Sequence, residues 1–262
     1  MGKIISISNQ KGGVGKTTTA INLSAGLAEH GWKILLIDAD GQGNSTSGLG
    51  INREQISFGL HEALIDEYPL TEIVLETGYD NFHVLTSSKD YSGLDAGLYG
   101  VHRREQRLKE GLSLIKEEYD YVFIDCPPSL TLMTVNALTA ADSILIPIQT
   151  EYYALEGLGQ LLGAVNLIRL GLNPELSIEG ILLTMYDRRT RLGNQVVQEV
   201  RNFFQGREYV FETIIPRNVR LSEAPSYAKP ALYYDASCPG SQAYRTLAKE
   251  FLAQQSEILS VC

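Results

Sequence analysis

Cysteine and histidine are scarce in this chain, and their positions exclude several kinds of site. The 262 residues include three cysteines, Cys126, Cys238 and Cys262, which are widely spaced and match no metal-ligand pattern. The four histidines show no ligand spacing either. An odd number of dispersed cysteines argues against a disulfide framework and is typical of reduced thiols, so we predict a cytoplasmic protein.

Long hydrophobic runs are also absent. Residues 34–37 and 181–183 are among the longest, and both fall far short of the roughly 20 apolar residues that a membrane-spanning helix needs. We expect no signal peptide, because strand-like residues begin almost at the N-terminus. The sequence has no linker, low-complexity tract or internal repeat. With 44% hydrophobic residues it can bury one large core, and we predict a single domain over residues 1–262.

The chain as a whole lacks an excess of positive charge, since its formal net charge is −9. The charge is unevenly distributed. Residues 181–262 hold ten Lys and Arg against eight Asp and Glu, a balance of +2, which leaves −11 for the first 180 residues. This asymmetry is compatible with a basic face that binds a polyanion, or with an ordinary mixed and solvated surface.

Short apolar segments alternate with helical periodicity along the chain. Strand-like runs occur at residues 4–8, 34–37, 82–85, 121–124, 144–148, 178–183 and 210–215. Helical patterns occur at residues 17–29, 57–65, 103–117, 130–140, 155–170, 193–204 and 241–255. This alternation predicts an α/β fold with a mostly parallel twisted sheet, helices on both faces, and ligands at the carboxyl ends of the strands. Residues 87–101 show no pattern that we can assign.

The segment between the first strand and the first helix has the composition of a phosphate-binding loop. A strict P-loop has a glycine five positions before the glycine of its final Gly-Lys-Thr, and here that position is Gln10, whereas Lys11 directly precedes Gly12. The backbone N–H groups of such a loop and the helix N-terminus bind phosphate oxygens. Lys16 can reach the terminal phosphates, and the Thr17 hydroxyl can bind magnesium.

Two acidic motifs follow strand-like runs, where a magnesium nucleotide site requires them. Asp125 comes directly after four apolar residues, as does Asp38, and Asp40 lies two residues further on. An aspartate at the end of a strand commonly holds Mg²⁺ opposite the P-loop threonine, so we predict that Asp125 is a metal-site residue. From the residues alone, either Asp38 or Asp40 could reach the γ-phosphate and orient the attacking water.

Six motifs occur in order along the chain: Lys11-Gly12-Gly13-Val14-Gly15-Lys16-Thr17-Thr18, Asp38-Ala39-Asp40-Gly41-Gln42-Gly43-Asn44, Asp125-Cys126-Pro127-Pro128-Ser129, Glu151-Tyr152-Tyr153-Ala154-Leu155-Glu156-Gly157, Thr184-Met185-Tyr186-Asp187, and Ile215-Pro216-Arg217-Asn218-Val219-Arg220-Leu221-Ser222-Glu223-Ala224-Pro225. Together they resemble the ParA/Soj family of chromosome- and plasmid-partitioning ATPases, a deviant Walker A branch of the P-loop NTPases, and the resemblance covers residues 3 to about 250.

The resemblance implies a role for each matching residue. It implies catalytic roles for Lys11, Lys16 and Asp40, with Lys11 acting across an ATP-dependent sandwich homodimer. The implied nucleotide-binding residues are Lys11, Gly12, Gly13, Val14, Gly15, Lys16, Thr17, Thr18, Pro216 and Asn218. The metal set is Thr17, Asp38 and Asp125, with ATP and Mg²⁺ as cofactors, and the DNA-binding set is Arg189 and Arg220.

The resemblance also implies a biological setting. It implies a cytoplasmic, nucleoid-associated ATPase of weak intrinsic activity that binds DNA without sequence specificity and is regulated by a ParB/Spo0J-like centromere-binding protein. Two features depart from the family pattern: Gly41 stands where proline is usual, which loosens the loop that carries Asp40, and residues 91–104 differ. The sequence leaves open whether the locus is chromosomal or on a plasmid.

Three alternatives share part of this pattern. A MinD-like membrane-positioning ATPase has the same phosphate-binding loop, residues 11–18, which we call the cradle. Residues 254–262 contain no Lys or Arg to bind anionic lipid, however, and we interpret the apolar stripe of residues 243–252 as core packing. An iron–sulfur reductase needs thiolate ligands at a dimer axis, and Cys126 lies inside the metal-strand motif. A DNA-binding scaffold with negligible turnover remains compatible with Gly41.

Overall fold

Seven strands of the described residues form one sheet. The computed structural model describes residues 2–87, 97–151 and 156–261. The strands are β1 (Lys3–Ile7), β2 (Ile34–Asp38), β3 (Val74–Tyr79), β4 (Phe82–Leu85), β5 (Tyr121–Asp125), β6 (Ser143–Gln149) and β7 (Ser177–Thr184). Their order is β3-β4-β2-β5-β1-β6-β7, and every pairing is parallel except that of β3 with β4. The predicted α/β fold with a mostly parallel sheet is confirmed.

The α-helices of the described residues lie on both faces of this sheet. They are α1 (Lys16–Ala28), α2 (Asn44–Gly48), α3 (Leu60–Ile65), α4 (Arg107–Leu112), α5 (Leu132–Ala140), α6 (Glu156–Gly171), α7 (Arg191–Phe204), α8 (Val219–Glu223), α9 (Ala231–Tyr234) and α10 (Pro239–Val261). No helix among the described residues is long and apolar enough to cross a membrane.

The side chains of each central strand contribute to two hydrophobic cores, because successive side chains point to opposite faces of the sheet. Along β2, Ile34 and Leu36 face the core that contains α1 and α10, whereas Leu35 and Ile37 face the core that contains α3 to α7. A strand that is buried on both faces has a continuous run of apolar residues, and such runs were the basis of the strand predictions from the sequence. The α10 residues Tyr244, Leu247, Ala248 and Phe251 are fully buried in the first core, so the apolar stripe of this helix packs inside the molecule.

Several predicted elements differ from the structure. Residues 210–215 do not form a regular strand: Val210 makes an isolated bridge to Ile181 of β7, and Pro216, just beyond this segment, makes one to Tyr186. Glu250 of α10 interrupts the pairing, because its carboxylate accepts hydrogen bonds from the backbone N–H groups of Glu212 and Thr213. Helices predicted at 57–65 and 103–117 are shorter, and β3 was not predicted. Residues 88–96 and 152–155, which include the Tyr152-Tyr153 pair, lie outside the described residues.

Candidate phosphate-binding and metal site

The loop between β1 and α1 is open at the positions where a phosphate group would lie. Gly13 and Gly15 have φ angles of +75° and +89°, in the left-handed region that glycine adopts without strain. A Cβ atom on Gly13 would meet no atom within 4 Å. Gly15 is the N-cap of α1 and has no side chain to accept hydrogen bonds from the first turn of the helix. The helix N-terminus is therefore available to an anion.

Lys16 points back across this loop. Its side chain is buried, and Nζ lies 3.3 Å from the carbonyl oxygen of Lys11, to which it donates. Burial lowers the pKa of Lys16, while the nearby carboxylates of Asp125 and Asp40 oppose that effect. A buried ammonium with only partial compensation favours a bound anion, and phosphate oxygens would supply the missing negative charge.

Asp125 lies at the end of β5, directly opposite the P-loop threonine. Its Oδ2 accepts hydrogen bonds from Thr17 Oγ1 and Ser45 Oγ, each at 2.7 Å. Its Oδ1 is buried and has no hydrogen-bond partner among the described residues. Burial and the nearby Asp38 raise the pKa of Asp125 to about 7. A carboxylate oxygen left unsatisfied beside two hydroxyl groups is the donor set that Mg²⁺ prefers, so these residues fit a magnesium ion.

Asp38 lies beside Asp125 in the register of β2 and β5 and is fully buried. Its Oδ2 accepts hydrogen bonds from the backbone N–H and the hydroxyl of Thr46, at 2.7 and 2.6 Å. Burial raises the pKa of Asp38 to about 6. These contacts attach the start of α2 to the sheet. The metal-binding role implied for Asp38 stays a prediction.

Asp40 lies in the tight turn that follows β2. Its Oδ1 accepts a hydrogen bond from Gln42 N at 3.0 Å, and its carbonyl oxygen accepts one from Gly43 N at 2.9 Å. The side chain is half-buried and close enough to Lys16 to influence its pKa. Asp40 therefore lies near the ammonium group that would bind the terminal phosphates.

A cavity of about 140 Å³ opens beside the loop. It is lined by Gly15, Thr18, Thr184, Met185, Ile215, Pro216, Arg217, Asn218, Leu221, Ser222 and Tyr244. The structure thus brings Pro216 and Asn218 next to the phosphate loop, although about 200 residues separate them in sequence. At the cavity, Arg217 pairs with Glu151 at 3.0 Å.

Sequence reasoning missed three residues that shape this site. Ser45 donates to Asp125, Thr46 donates to Asp38, and Thr184 Oγ1 donates to the Val14 carbonyl at 2.8 Å. Ser45 and Thr46 directly follow the motif that runs from Asp38 to Asn44, which is the one signal that could have identified them. Thr184 belongs to a motif quoted above, but its contact with the loop depends on the tertiary fold.

The two arginines predicted to bind DNA lie at the carboxyl edge of the sheet. Arg189 is 83% exposed and forms a two-point ion pair with Asp187, with distances of 2.9 and 2.8 Å. Arg220 is 50% exposed and pairs with Glu223 at 2.8 Å and Asp235 at 3.4 Å. Arg189 lies in the loop after β7 and Arg220 lies in the short helix α8, and both guanidinium groups are exposed to solvent.

The fold and the loop define the class of this protein, a P-loop NTPase with a second lysine in its phosphate cradle. A family model described as an AAA domain matches residues 2–178. The sporulation initiation inhibitor protein Soj of Bacillus subtilis is 52% identical over 97% of this chain and 99% of the relative. The chromosome partitioning protein ParA of Myxococcus xanthus is 50% identical over 98% and 90%. The chain belongs to the ParA/Soj family of chromosome partitioning ATPases.

Solved structures share the fold with lower identity. Cobyrinic acid a,c-diamide synthase from Mycobacterium smegmatis, with bound ADP and magnesium, superposes with a TM-score of 0.85 at 32% identity, covering 98% of this chain and 96% of that one. The cell division ATPase MinD of Pyrococcus furiosus gives a TM-score of 0.81 at 26% identity, covering 97% and 100%. One fold therefore serves proteins with different names, and the relatives at about half identity determine the family.

Proposed function

We propose that this partitioning ATPase binds Mg²⁺-ATP in the cradle, dimerises on ATP, binds DNA without sequence specificity as that dimer, and is regulated by a ParB/Spo0J-like centromere-binding protein. The observation that carries the proposal is the cluster of Lys16, Thr17 and Asp125, in which a buried ammonium, a hydroxyl and an unsatisfied carboxylate oxygen surround one open loop. Location on the nucleoid would follow from DNA binding.

Nucleotide binding follows from the chemistry of the cradle. The loop amides and Lys16 would hold the phosphates, while Thr17 and Asp125 would hold the magnesium ion, which neutralises charge on the phosphate oxygens when bound. The cavity that Pro216 and Asn218 line is adjacent to the loop and would receive the base. A relative of this fold was solved with ADP and magnesium, and a plasmid partition protein from Borrelia burgdorferi was solved with AMPPNP.

Hydrolysis requires a group that orients water toward the terminal phosphate. Asp40 is near Lys16 and half-buried, so its carboxylate can accept a hydrogen bond from a water at that position. Gly12 and Gly13 are exposed, which leaves the outer side of the cradle accessible to a second subunit. A partner's Lys11 entering there would supply the positive charge that an arginine finger supplies in other P-loop enzymes.

DNA binding would use the exposed arginines at the carboxyl edge of the sheet. Ion pairs exposed to solvent contribute little, so the pairing of Arg189 with Asp187 is a weak competitor for a DNA phosphate. A dimer doubles the contribution of Arg189 and Arg220, and sequence-independent affinity then comes from the release of counterions. We expect no sequence preference, because contacts to phosphate groups carry no information about the bases.

The test measures DNA binding and phosphate release together. With Mg²⁺-ATP, duplex binding should fall with salt at a log–log slope of roughly −0.9 per phosphate neutralised. Arg189→Glu with Arg220→Glu should abolish binding and leave ATP turnover without DNA unchanged. The control, Arg201→Glu with Arg207→Glu, makes the same charge change at the other end of α7 and should retain most of the binding.

Two outcomes would contradict parts of the proposal. If the double variant at Arg189 and Arg220 binds duplex DNA as tightly as the parent at low salt, those arginines are not the DNA contacts. If the parent releases no phosphate above background with or without DNA, the protein is a nucleotide-dependent scaffold. Binding to vesicles of anionic lipid in place of DNA would favour the MinD-like alternative.

A further inference from the structure

The turn that carries Asp40 has a specific geometry. Gly43 N donates to the Asp40 carbonyl at 2.9 Å, which defines a β-turn over residues 40–43 with Gly41 and Gln42 at its centre. Neither central residue has a positive φ, whereas turns of types II, I′ and II′ all require one, so the turn is of type I. Asp40 is at the first position, where its Oδ1 accepts the Gln42 N–H. Aspartate is favoured at that position.

Gly41 is the residue in this turn that does not stabilise it. The second position of a type I turn favours proline, which restricts φ before folding, whereas glycine adds conformational freedom that must be lost. The backbone N–H of Gly41 makes no recorded hydrogen bond within the described residues, so a proline there would break none. The Asp40 loop therefore needs restraint from outside the turn.

Arg53 supplies that restraint. Its guanidinium donates through Nη1 to the Gln42 carbonyl at 2.8 Å and through Nη2 to the Gly41 carbonyl at 3.1 Å. A Cβ atom built on Gly43 would lie 2.5 Å from Arg53 Nε, so the guanidinium packs directly against the turn backbone. Arg53 begins a short 3₁₀ helix, Arg53–Gln55, whose N-cap Asn52 accepts a hydrogen bond from Glu54 N at 3.0 Å. The side chain thus extends from a capped element and binds two consecutive carbonyl groups.

We propose that Arg53 is a positioning residue for hydrolysis, which holds the Gly41-containing turn so that Asp40 keeps the orientation needed to align water. This inference rests on the role of Asp40 given in the proposed function. The planar guanidinium holds two carbonyl groups in a fixed geometry, whereas a lysine ammonium on its flexible stem would hold them less rigidly. Small displacements of a catalytic group reduce the rate of the chemical step while leaving substrate binding nearly intact.

The experiment measures kcat and KM for ATP hydrolysis in a set of variants. Arg53→Ala should lower kcat by about tenfold and change KM by less than about twofold. Arg53→Lys should give an intermediate kcat. Gly41→Pro alone should keep kcat at or above the parent value, and adding it to Arg53→Ala should restore at least about half of the lost rate, because proline restrains the turn directly. If Arg53→Ala lowered kcat only by reducing the overall stability of the protein, adding Gly41→Pro would not restore kcat.

Arg245→Ala is the matched control, because Arg245 also donates to two backbone carbonyl groups, those of Ala236 and Leu232, away from the cradle. Its kcat should stay within about twofold of the parent. The inference is overturned if Arg53→Ala retains the parent kcat, if Gly41→Pro does not restore the rate, or if Arg245→Ala lowers kcat equally. Titration with Mg²⁺-ADP checks that each variant is folded and binds nucleotide.

Asp40→Ala, measured alongside, separates this inference from the proposed function. If Asp40→Ala is inactive while Arg53→Ala turns over at the parent rate, only the role of Arg53 is wrong. If Asp40→Ala hydrolyses ATP at the parent rate, the proposed role of Asp40 is wrong, and the inference on Arg53, which depends on that role, is wrong as well.

Discussion

At the residue scale, the cradle combines buried charges that the protein alone does not balance well. Lys16 is buried with its pKa lowered, and Asp125 is buried with its pKa raised to about 7. Each charge is costly to bury, and neither has a complete set of partners within the chain. A magnesium ion and phosphate groups would compensate both, so the free energy of ligand binding includes the relief of this desolvation.

The two lysines should differ in what their removal changes. Lys16→Ala should reduce ADP affinity by at least about 100-fold, because it removes the buried ammonium that faces the phosphates. Lys11→Ala should change ADP affinity by less than about threefold and prevent ATP-dependent dimerisation, because in the proposed dimer its ammonium would act from the other subunit. Titration calorimetry with Mg²⁺-ADP distinguishes the two, and an equal loss of affinity in both variants would contradict the cross-subunit role.

The buried carboxyl groups should make stability depend on pH in the absence of ligand. The folded-state pKa values of Asp125 and Asp38 are about 7 and about 6, above the ordinary value of 3.8. The folded protein therefore binds these protons more tightly than the unfolded chain, so the stabilisation is full below about pH 4 and is lost as the pH rises to about 7. Between pH 5 and 8, Asp125→Asn should show a smaller fall in Tm than the parent in EDTA.

Other titrating groups contribute to the same pH window, so the comparison between parent and Asp125→Asn is the informative quantity. If Asp125 holds the magnesium ion as an ionised carboxylate, Mg²⁺-ADP binding should strengthen from pH 6 to 8 in the parent. An identical pH dependence of Tm in the two proteins would show that Asp125 does not hold the proton.

At the element scale, a buried polar cluster joins four elements at the edge of the sheet opposite the cradle. Lys3 of β1 pairs with Glu179 of β7 at 2.6 Å and donates to Gln255 of α10 at 2.7 Å. The Ser143 hydroxyl of β6 also donates to Glu179. Glu179 is 3% exposed and connects all of these groups. The cluster fixes α10 against the strands whose other ends carry the site.

Removing Glu179 should therefore destabilise the whole domain. Glu179→Ala leaves Lys3, Ser143 and Gln255 without their shared acceptor, and we expect a loss of about 3 kcal/mol in the free energy of unfolding. Urea unfolding measures this change. The control Glu199→Ala removes an exposed carboxylate on α7 and should stay within about 0.5 kcal/mol of the parent. Equal stability of the two variants would mean that the cluster contributes nothing net.

The sequence predicted elements well where local pattern alone determines them. The central strands are continuous apolar runs, and the Gly-Lys-Thr loop fixes the junction of β1 and α1. Strand β3 was missed because it is a short edge strand with mixed polarity, including Thr77 and Gly78. The prediction of a strand at residues 210–215 is wrong because Glu250, which is distant in sequence, accepts hydrogen bonds from two backbone N–H groups of this segment. Contacts such as Ser45 with Asp125, and Arg53 with the Asp40 turn, depend on how loops meet in space.

At the scale of the whole molecule, the site is open on the side that the proposed dimer would cover. The cradle residues Gly12 and Gly13 are exposed, and the candidate DNA-binding residues Arg189, in the loop after β7, and Arg220, in α8, lie at the same edge of the sheet. A dimer that forms only with ATP would complete the active site and double the basic surface together. Hydrolysis would reverse both changes, so DNA binding would depend on which nucleotide is bound.

The most direct test of this account is the mass of the protein in solution with Mg²⁺-ATP, with Mg²⁺-ADP and without nucleotide. Asp40→Ala should be a dimer in Mg²⁺-ATP and a monomer of 28.9 kDa in the other two conditions, because it binds ATP but does not reset the switch. Lys11→Ala should be a monomer in all three. A monomeric Asp40→Ala protein in saturating Mg²⁺-ATP, or a parent protein whose mass is the same in every condition, would contradict the account.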